Sequence, residues 1–218
     1  MSKLGGVIWD MDGVLVDTGE FHYQSWRDTL NEYQVILSKE RFYETFGMNN
    51  RSILQLLLGD RFTEQLCDEI SERKEVEFRR IIQGQMQLLP GVLTLLKAVD
   101  QAGIPQAIAS SAPPPNIDAI IDALEIRKYF KALVSAADMP GKPDPMVFLT
   151  ASHTIDIPPR SCVVIEDGTS GVTGAKNAGM KCLAVTTTNP AAKLKQADLI
   201  IDCLDQIQVS DLEDLFRS

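Results

Sequence analysis

Short apolar runs separated by helical stretches constrain this chain more than any other feature. Runs rich in β-formers occupy residues 4–9, 104–109, 161–165 and 181–185, with shorter ones at 132–135 and 199–201. A strand that reads as continuously apolar, instead of alternating, suits a sheet covered on both faces, which is the habit of parallel sheets. Helical stretches lie between the runs, at 91–102, 116–124, 145–154 and 170–178. Strand and helix therefore alternate from about residue 90 onward, the signature of βαβ units. The expected fold class is α/β, with a Rossmann-like parallel sheet as its core.

Residues 18–87 read differently. They hold no strand pattern but several amphipathic ones. Phe21, Trp26, Leu30 and Tyr33 mark one helix, and Ile53, Leu54, Leu57 and Leu58 a second; Cys67, Ile70, Phe78 and Ile81 form the stripe of a third, over about 63–83. Leu89-Pro90-Gly91 then breaks the chain. The expected organisation is a core domain of residues 1–17 and 88–218 with an inserted helical cap domain of residues 18–87. At 218 residues the chain has room for both and for a sizeable core without disulfide staples.

Charge narrows the partners. The chain carries 21 Lys+Arg against 30 Asp+Glu, a formal net charge of −9, and no basic run. Neither a nucleic acid nor an anionic membrane is expected as a partner. A phosphorylated small molecule stays compatible, because one local positive pocket can sit in an acidic protein. Cys67, Cys162, Cys182 and Cys203 form no C-x-x-C pair and are expected to be reduced and structural. Residues 1–10 resemble neither a signal peptide nor a membrane span. A cytoplasmic monomer is the expectation.

Ligands of open parallel sheets bind beyond the carboxyl ends of the strands, so the residues that follow each run carry the functional reading. The first run ends in Asp10 and Asp12, and the second in Ser110 and Ser111. The loop after 132–135 carries Gly141-Lys142-Pro143, and the run at 161–165 ends in Glu166-Asp167-Gly168. Carboxylates gathered in this way repel one another without a cation, and hard oxygen donors suit Mg²⁺. With a lysine and serines beside it, such a cation makes a phosphate site. Each piece alone has a plainer reading. Asp-x-Asp-Gly is a common turn, Gly141-Lys142-Pro143 a polar loop, and Glu166-Asp167-Gly168 an acidic helix entry. Ser110 and Ser111 suit the cap of a helix with Pro113 in its first turn. Their coincidence at strand ends, in chain order, selects the functional reading.

Trp9-Asp10-Met11-Asp12-Gly13-Val14-Leu15-Val16-Asp17-Thr18, Ala109-Ser110-Ser111, Gly141-Lys142-Pro143-Asp144-Pro145 and Val164-Ile165-Glu166-Asp167-Gly168 resemble the four motifs of the haloacid dehalogenase superfamily. The helical insert resembles the cap of its β-phosphoglucomutase-like subfamily. The resemblance implies that Asp10 is the nucleophile that forms an aspartyl-phosphate and Asp12 the general acid and base. It implies that the Gly13 turn aims backbone N–H groups at the phosphoryl oxygens, and that Ser110, beside Ser111, and Lys142 bind the same oxygens. Mg²⁺ would be held by Asp10, the main-chain carbonyl of Asp12, and Asp167, with Glu166 a direct or water-mediated ligand. Family members that cleave carbon–halogen bonds lack an Asp at position 12, whereas an alkoxide leaving group needs an acid. Asp12 therefore points to phosphate esters.

The insert is expected to set the substrate. Lys74 falls on the apolar stripe of the third helix, four residues after Ile70 and four before Phe78. It either snorkels from the cap edge or faces the active site, where its position resembles a substrate-contacting cap lysine of the subfamily. Lys74→Ala is accordingly expected to alter KM or substrate choice more than stability. Arg51, just after Gly47-Met48-Asn49-Asn50, is read as a contact for a distal phosphate or as an exposed helix-start arginine. His22 and Thr18 sit at the hinge, with Glu20 beside them, His22 reading also as a packed or solvated histidine. One departure matters: Ala112-Pro113-Pro114-Pro115-Asn116 stands where glucose-specific mutases carry polar and basic residues that grip a second phosphate, and prolines donate no backbone hydrogen bond. The expected activity is Mg²⁺-dependent hydrolysis of a small phosphorylated metabolite, a sugar phosphate. The alternatives are a β-phosphoglucomutase-type phosphohexomutase and a non-enzymatic regulator that binds a phosphometabolite or accepts a phosphoryl group.

Overall fold

The computed structural model describes residues 3–45 and 50–217. In chain order the elements begin with β1 (Gly6–Trp9), α1 (Gly19–Glu32), α2 (Lys39–Thr45), α3 (Asn50–Leu58) and α4 (Glu64–Ile81). They continue with α5 (Val92–Gln101), β2 (Gln106–Ser110), α6 (Pro114–Ala123), β3 (Ala132–Ser135) and α7 (Met146–Thr154). The last are β4 (Cys162–Glu166), α8 (Thr169–Asn177), β5 (Lys181–Val185), β6 (Leu199–Ile201) and α9 (Val209–Asp214). Contacts divide the chain into two compact units: Met1–Asp17 with Gln87–Ser218, and Thr18–Met86.

The first unit is built on a six-stranded sheet of order β3-β2-β1-β4-β5-β6, in which every pairing is parallel. Residues of β1, β2 and β4 are buried throughout, as their unbroken apolar reading requires. Ile8, Ala107, Ala109, Val134, Val164, Cys182 and Ala184 share one buried cluster with Val147, Phe148 and Ala151 of α7 and Val172 and Ala175 of α8. One residue on from Ile8 along β1, the Trp9 Nε1–H donates to Gln106 Oε1 at 3.0 Å. The Gln106 amide in turn donates to the Leu96 carbonyl of α5 at 3.0 Å, so this buried polar pair is satisfied. The strand order reverses between β1 and β4, and that crevice is where a doubly wound sheet takes its ligands.

Local chemistry moves several element boundaries. β2 starts at Gln106 and not at residue 104, because Pro105 has no N–H for the ladder; its carbonyl still accepts from the Val7 N–H at 3.1 Å. The helix expected from 116 starts at Pro114, with Pro113 at its N-cap, since prolines fit the first turn of a helix, where N–H groups lack intrahelical partners. Ser110 and Ser111 do not cap it. Two short helices, α2 and α9, had no visible pattern: they bury only Phe42 with Thr45 and Leu212 respectively.

The second unit packs around Trp26, Leu30, Leu37, Phe42, Ile53, Leu54, Leu58, Cys67 and Ile70. The Thr63 hydroxyl caps α4 by accepting from the Leu66 N–H at 3.2 Å, an arrangement worth about 1 kcal/mol. Residues 47–49, placed ahead of Arg51 in the sequence reading, lie outside the described residues. The four cysteines are free thiols, and burial pushes Cys162 up to about 12, which makes it unreactive. Among the described residues no helix is long and apolar enough to cross a membrane.

Candidate active site

β1 stops at Trp9 and the chain folds back at once. The N–H groups of Val14, Leu15 and Val16 converge on the Met11 carbonyl at 3.3, 2.9 and 3.2 Å, and Gly13 donates to the Val16 carbonyl at 2.7 Å. Gly13 has φ of 83°, a left-handed backbone that favours glycine. A Cβ there would stand 1.9 Å from Asp167 Oδ2. The Gly13 N–H is engaged inside the turn, and the residue itself supplies room for the Asp167 carboxylate. The Asp10 N–H donates to the Ile165 carbonyl at 2.9 Å and ties the end of β1 to the end of β4. The Asp10 side chain is buried, while Asp12 is half-buried.

Lys142 comes from the loop after β3. Its ammonium donates to Asp10 Oδ1 at 2.6 Å and to Glu166 Oε1 at 2.7 Å. The other oxygen of Glu166 accepts the N–H groups of Asp167 and Gly168 at 2.9 and 2.8 Å. One oxygen from each of Asp10, Glu166 and Asp167 falls within 4.8 Å of the others, all three residues being buried. Burial raises Asp10 well above the usual carboxylate range; Lys142 opposes this, and Glu166, Asp167 and Asp12 add to the rise. Asp167 is pushed up to about 7, by burial first and then by Glu166, with Thr188 and Lys142 acting the other way. Burial draws Lys142 down, but the carboxylates of Asp10 and Glu166 outweigh it and leave the ammonium above the usual lysine range. Three buried carboxylates thus share one ammonium. Their surplus negative charge and all-oxygen donor set fit a hard divalent cation such as Mg²⁺.

At the end of β2, the buried Ser110 Oγ accepts from the Ala112 N–H at 3.0 Å, whereas Ser111 is exposed. Ser135, at the end of β3, donates to the Ala112 carbonyl at 2.7 Å, so the peptide at Ala112 is held from both strands. Pro113, Pro114 and Pro115 follow, and the Asn116 N–H returns to the Pro113 carbonyl at 2.9 Å.

The remaining candidates belong to the helical unit. Lys74 is 2 % exposed, and its ammonium lies 2.9 Å from His22 Nδ1 and 3.0 Å from Glu75 Oε1. An ammonium only donates, so His22 Nδ1 accepts. The Lys74 charge also sits 5.5 and 5.3 Å from the ring centres of Trp26 and Phe78, and His22 stacks on Phe78 at 4.1 Å. Glu75 Oε1 accepts from Asn50 Nδ2 at 2.9 Å. Lys74 is therefore a buried, ion-paired residue and not one that snorkels. Thr18 is buried, and its carbonyl accepts the His22 N–H at 2.9 Å. Arg51 is exposed and its guanidinium pairs with both oxygens of Glu64, which matches the exposed helix-start arginine of the two readings.

Three residues at the site escaped the sequence reading. Thr188 donates to Asp167 Oδ2, and Asn189 Nδ2 donates to the Asp167 carbonyl at 3.2 Å. Both follow β5, and the strand-end logic applied to that strand points straight at them. Gly171 is the third: a Cβ on it would stand 1.7 Å from Glu166 Oε1, so α8 passes the carboxylate only because the residue is glycine.

The family described as haloacid dehalogenase-like hydrolase matches residues 7–185. The chain belongs to this family. It is an enzyme of the phosphoryl-transfer kind within the β-phosphoglucomutase-like group of haloacid dehalogenase-like hydrolases. It is 30 % identical over 214 residues to a protein named β-phosphoglucomutase from Bacillus subtilis, covering 94 % of this chain and 90 % of the relative. It is also 30 % identical over 176 residues to the phosphorylated carbohydrates phosphatase of Thermotoga maritima, covering 80 % of this chain and 82 % of that one. A haloacid dehalogenase-family hydrolase from Entamoeba histolytica shares the fold with a TM-score of 0.90 at 23 % identity, over 99 % of this chain and 100 % of the other.

Proposed function

We propose that the protein is a Mg²⁺-dependent phosphatase that hydrolyses a small sugar phosphate through an aspartyl-phosphate on Asp10. The observation that carries this reading is the Lys142 ammonium bridging Asp10 and Glu166 at 2.6 and 2.7 Å, beside Asp167 at the point where the strand order reverses. Lys142 opposes the rise that burial imposes on Asp10 and so favours the ionised carboxylate that a nucleophile requires. Asp10 attacks phosphorus, the ester P–O bond breaks, and Asp12 gives its proton to the departing sugar oxygen. Water then attacks the phosphorus of the aspartyl-phosphate and passes a proton to Asp12, which releases inorganic phosphate and regenerates Asp10. Lys142 and the Ser110 hydroxyl hydrogen bind the phosphoryl oxygens, where charge is concentrated during transfer. Asp10, the Asp12 carbonyl and Asp167, with Glu166, would hold Mg²⁺. That ion, when bound, supplies charge neutralisation at the phosphoryl group.

Hydrolysis is preferred over mutase chemistry because a second phosphate finds little to grip. Arg51 and Lys74 are engaged by Glu64 and Glu75, and the entry to α6 is proline. The sugar-phosphate class is supported by the name of the Thermotoga maritima relative, a phosphatase of phosphorylated carbohydrates. The test is a Mg²⁺-dependent screen of phosphorylated sugars that follows free phosphate and isomerised product together. It includes β-glucose 1-phosphate with a bisphosphate primer. Free phosphate from one or a few esters is expected; glucose 6-phosphate with little free phosphate would make the protein a mutase and overturn this reading.

A further inference from the structure

We propose that Thr188 and Asn189, on the loop after β5, form a seat that orients Asp167 for the cation and thereby set the protein's affinity for Mg²⁺. The inference rests on the cation site proposed above. The loop is anchored before it reaches the site: the Thr186 N–H donates to the Ile201 carbonyl at 3.0 Å and its hydroxyl to Asp202 Oδ1 at 2.8 Å. The Asn189 amide donates to the Asp167 carbonyl at 3.2 Å and to Thr188 Oγ1 at 3.1 Å. A hydroxyl has a single hydrogen. The Thr188 hydroxyl lies 3.4 Å from the Asp167 carbonyl and much nearer Asp167 Oδ2, so its one hydrogen goes to Oδ2. The same oxygen lies in the space left by Gly13, where a Cβ would come within 1.9 Å of it.

Oδ2 is thus fixed on two sides, and among the described residues Oδ1 accepts no hydrogen bond. A carboxylate pinned by one oxygen offers the other in a single direction. Partners of this kind commonly change metal affinity by about 10- to 100-fold when removed. Thr188 is itself exposed, so its substitution leaves the core intact. Thr188 is a positioning residue, acting through Asp167 and not on the substrate.

Thr188→Val keeps the shape and deletes the donor, and Thr188→Ser keeps the donor. Titration calorimetry with Mg²⁺ alone on the metal-stripped full chain is expected to show affinity about tenfold weaker in Thr188→Val and within about twofold of the parent in Thr188→Ser. At saturating Mg²⁺, kcat of Thr188→Val is expected to return to the parent value, because the defect lies in metal affinity. Unchanged or tighter binding in Thr188→Val overturns the proposal, as does Thr188→Ser binding as weakly as Thr188→Val. Thr188→Ala gives the same comparison if the valine variant does not fold. Asp167→Asn separates the two levels: if the parent and this variant bind Mg²⁺ equally, the cation site itself is misassigned and the seat falls with it.

Discussion

Replacing Asp167 by Asn should stabilise the metal-stripped protein at pH 8 and leave it nearly unchanged at pH 4. A carboxyl whose pKa is higher in the folded than in the unfolded chain holds its proton more tightly when folded. Stability therefore falls as pH rises through the interval between the two values. For Asp167 that interval runs from 3.8 to about 7. At roughly 1.4 kcal/mol per pH unit, the full interval is worth about 4 kcal/mol. Asp10 is raised in the same direction and relaxes once its neighbour is neutral, whereas Asn keeps an oxygen for the Thr188 hydroxyl. A gain of at least about 2 kcal/mol is therefore expected above pH 7. Urea unfolding in EDTA across this pH range measures it directly. Mg²⁺ at pH 8 should raise the parent's midpoint and not the variant's. Equal stability of the two proteins at pH 8, or a gain as large at pH 4 as at pH 8, would refute the burial-and-repulsion argument.

Three further substitutions separate structural from chemical roles. Lys142→Met leaves Asp10 and Glu166 buried without their cation, so a loss of about 3–5 kcal/mol is expected by urea unfolding, together with loss of turnover. Gly171→Ala drives a methyl into the space of Glu166 Oε1; the carboxylate must move, and activity should fall by about tenfold or more in an assay at fixed Mg²⁺. Lys74→Ala removes the ammonium from the buried Glu75 carboxylate, which keeps its bond from Asn50, so denaturation should report a cost of about 3 kcal/mol. Kinetics of the same variant set this cost against the expected change in KM.

The sheet was readable because its inner strands are buried on both faces: nothing polar interrupts Val7-Ile8-Trp9 or Val163-Val164-Ile165, and the first polar residues beyond them are the site. Thr188 and Asn189 follow β5 and lay within reach of the strand-end logic, but a threonine run there also has the composition of any turn, and it is contact with Asp167 that separates the two. Gly171 escaped because its requirement is set by a side chain five residues earlier that folds across the first turn of α8. The Lys74 stripe position was visible, but not its partner. Adjacent residues on a helix do not normally face each other, yet Glu75 closes on Lys74 at 3.0 Å because Asn50 holds it there at 2.9 Å. α2 and α9 bury too few residues to leave a periodic trace.

The central claim is that Asp10 carries the phosphoryl group. Asp12→Asn protein, lacking both the acid for a sugar leaving group and the base that activates water, is mixed with Mg²⁺ and acetyl phosphate, whose carboxylate departs without an acid, then quenched in acid and digested for mass spectrometry. The account predicts one added phosphoryl group on Asp10, and none when Asp10→Asn is introduced as well. Turnover by Asp10→Asn at the parent's rate, or a phosphoryl group on any other residue, would contradict it.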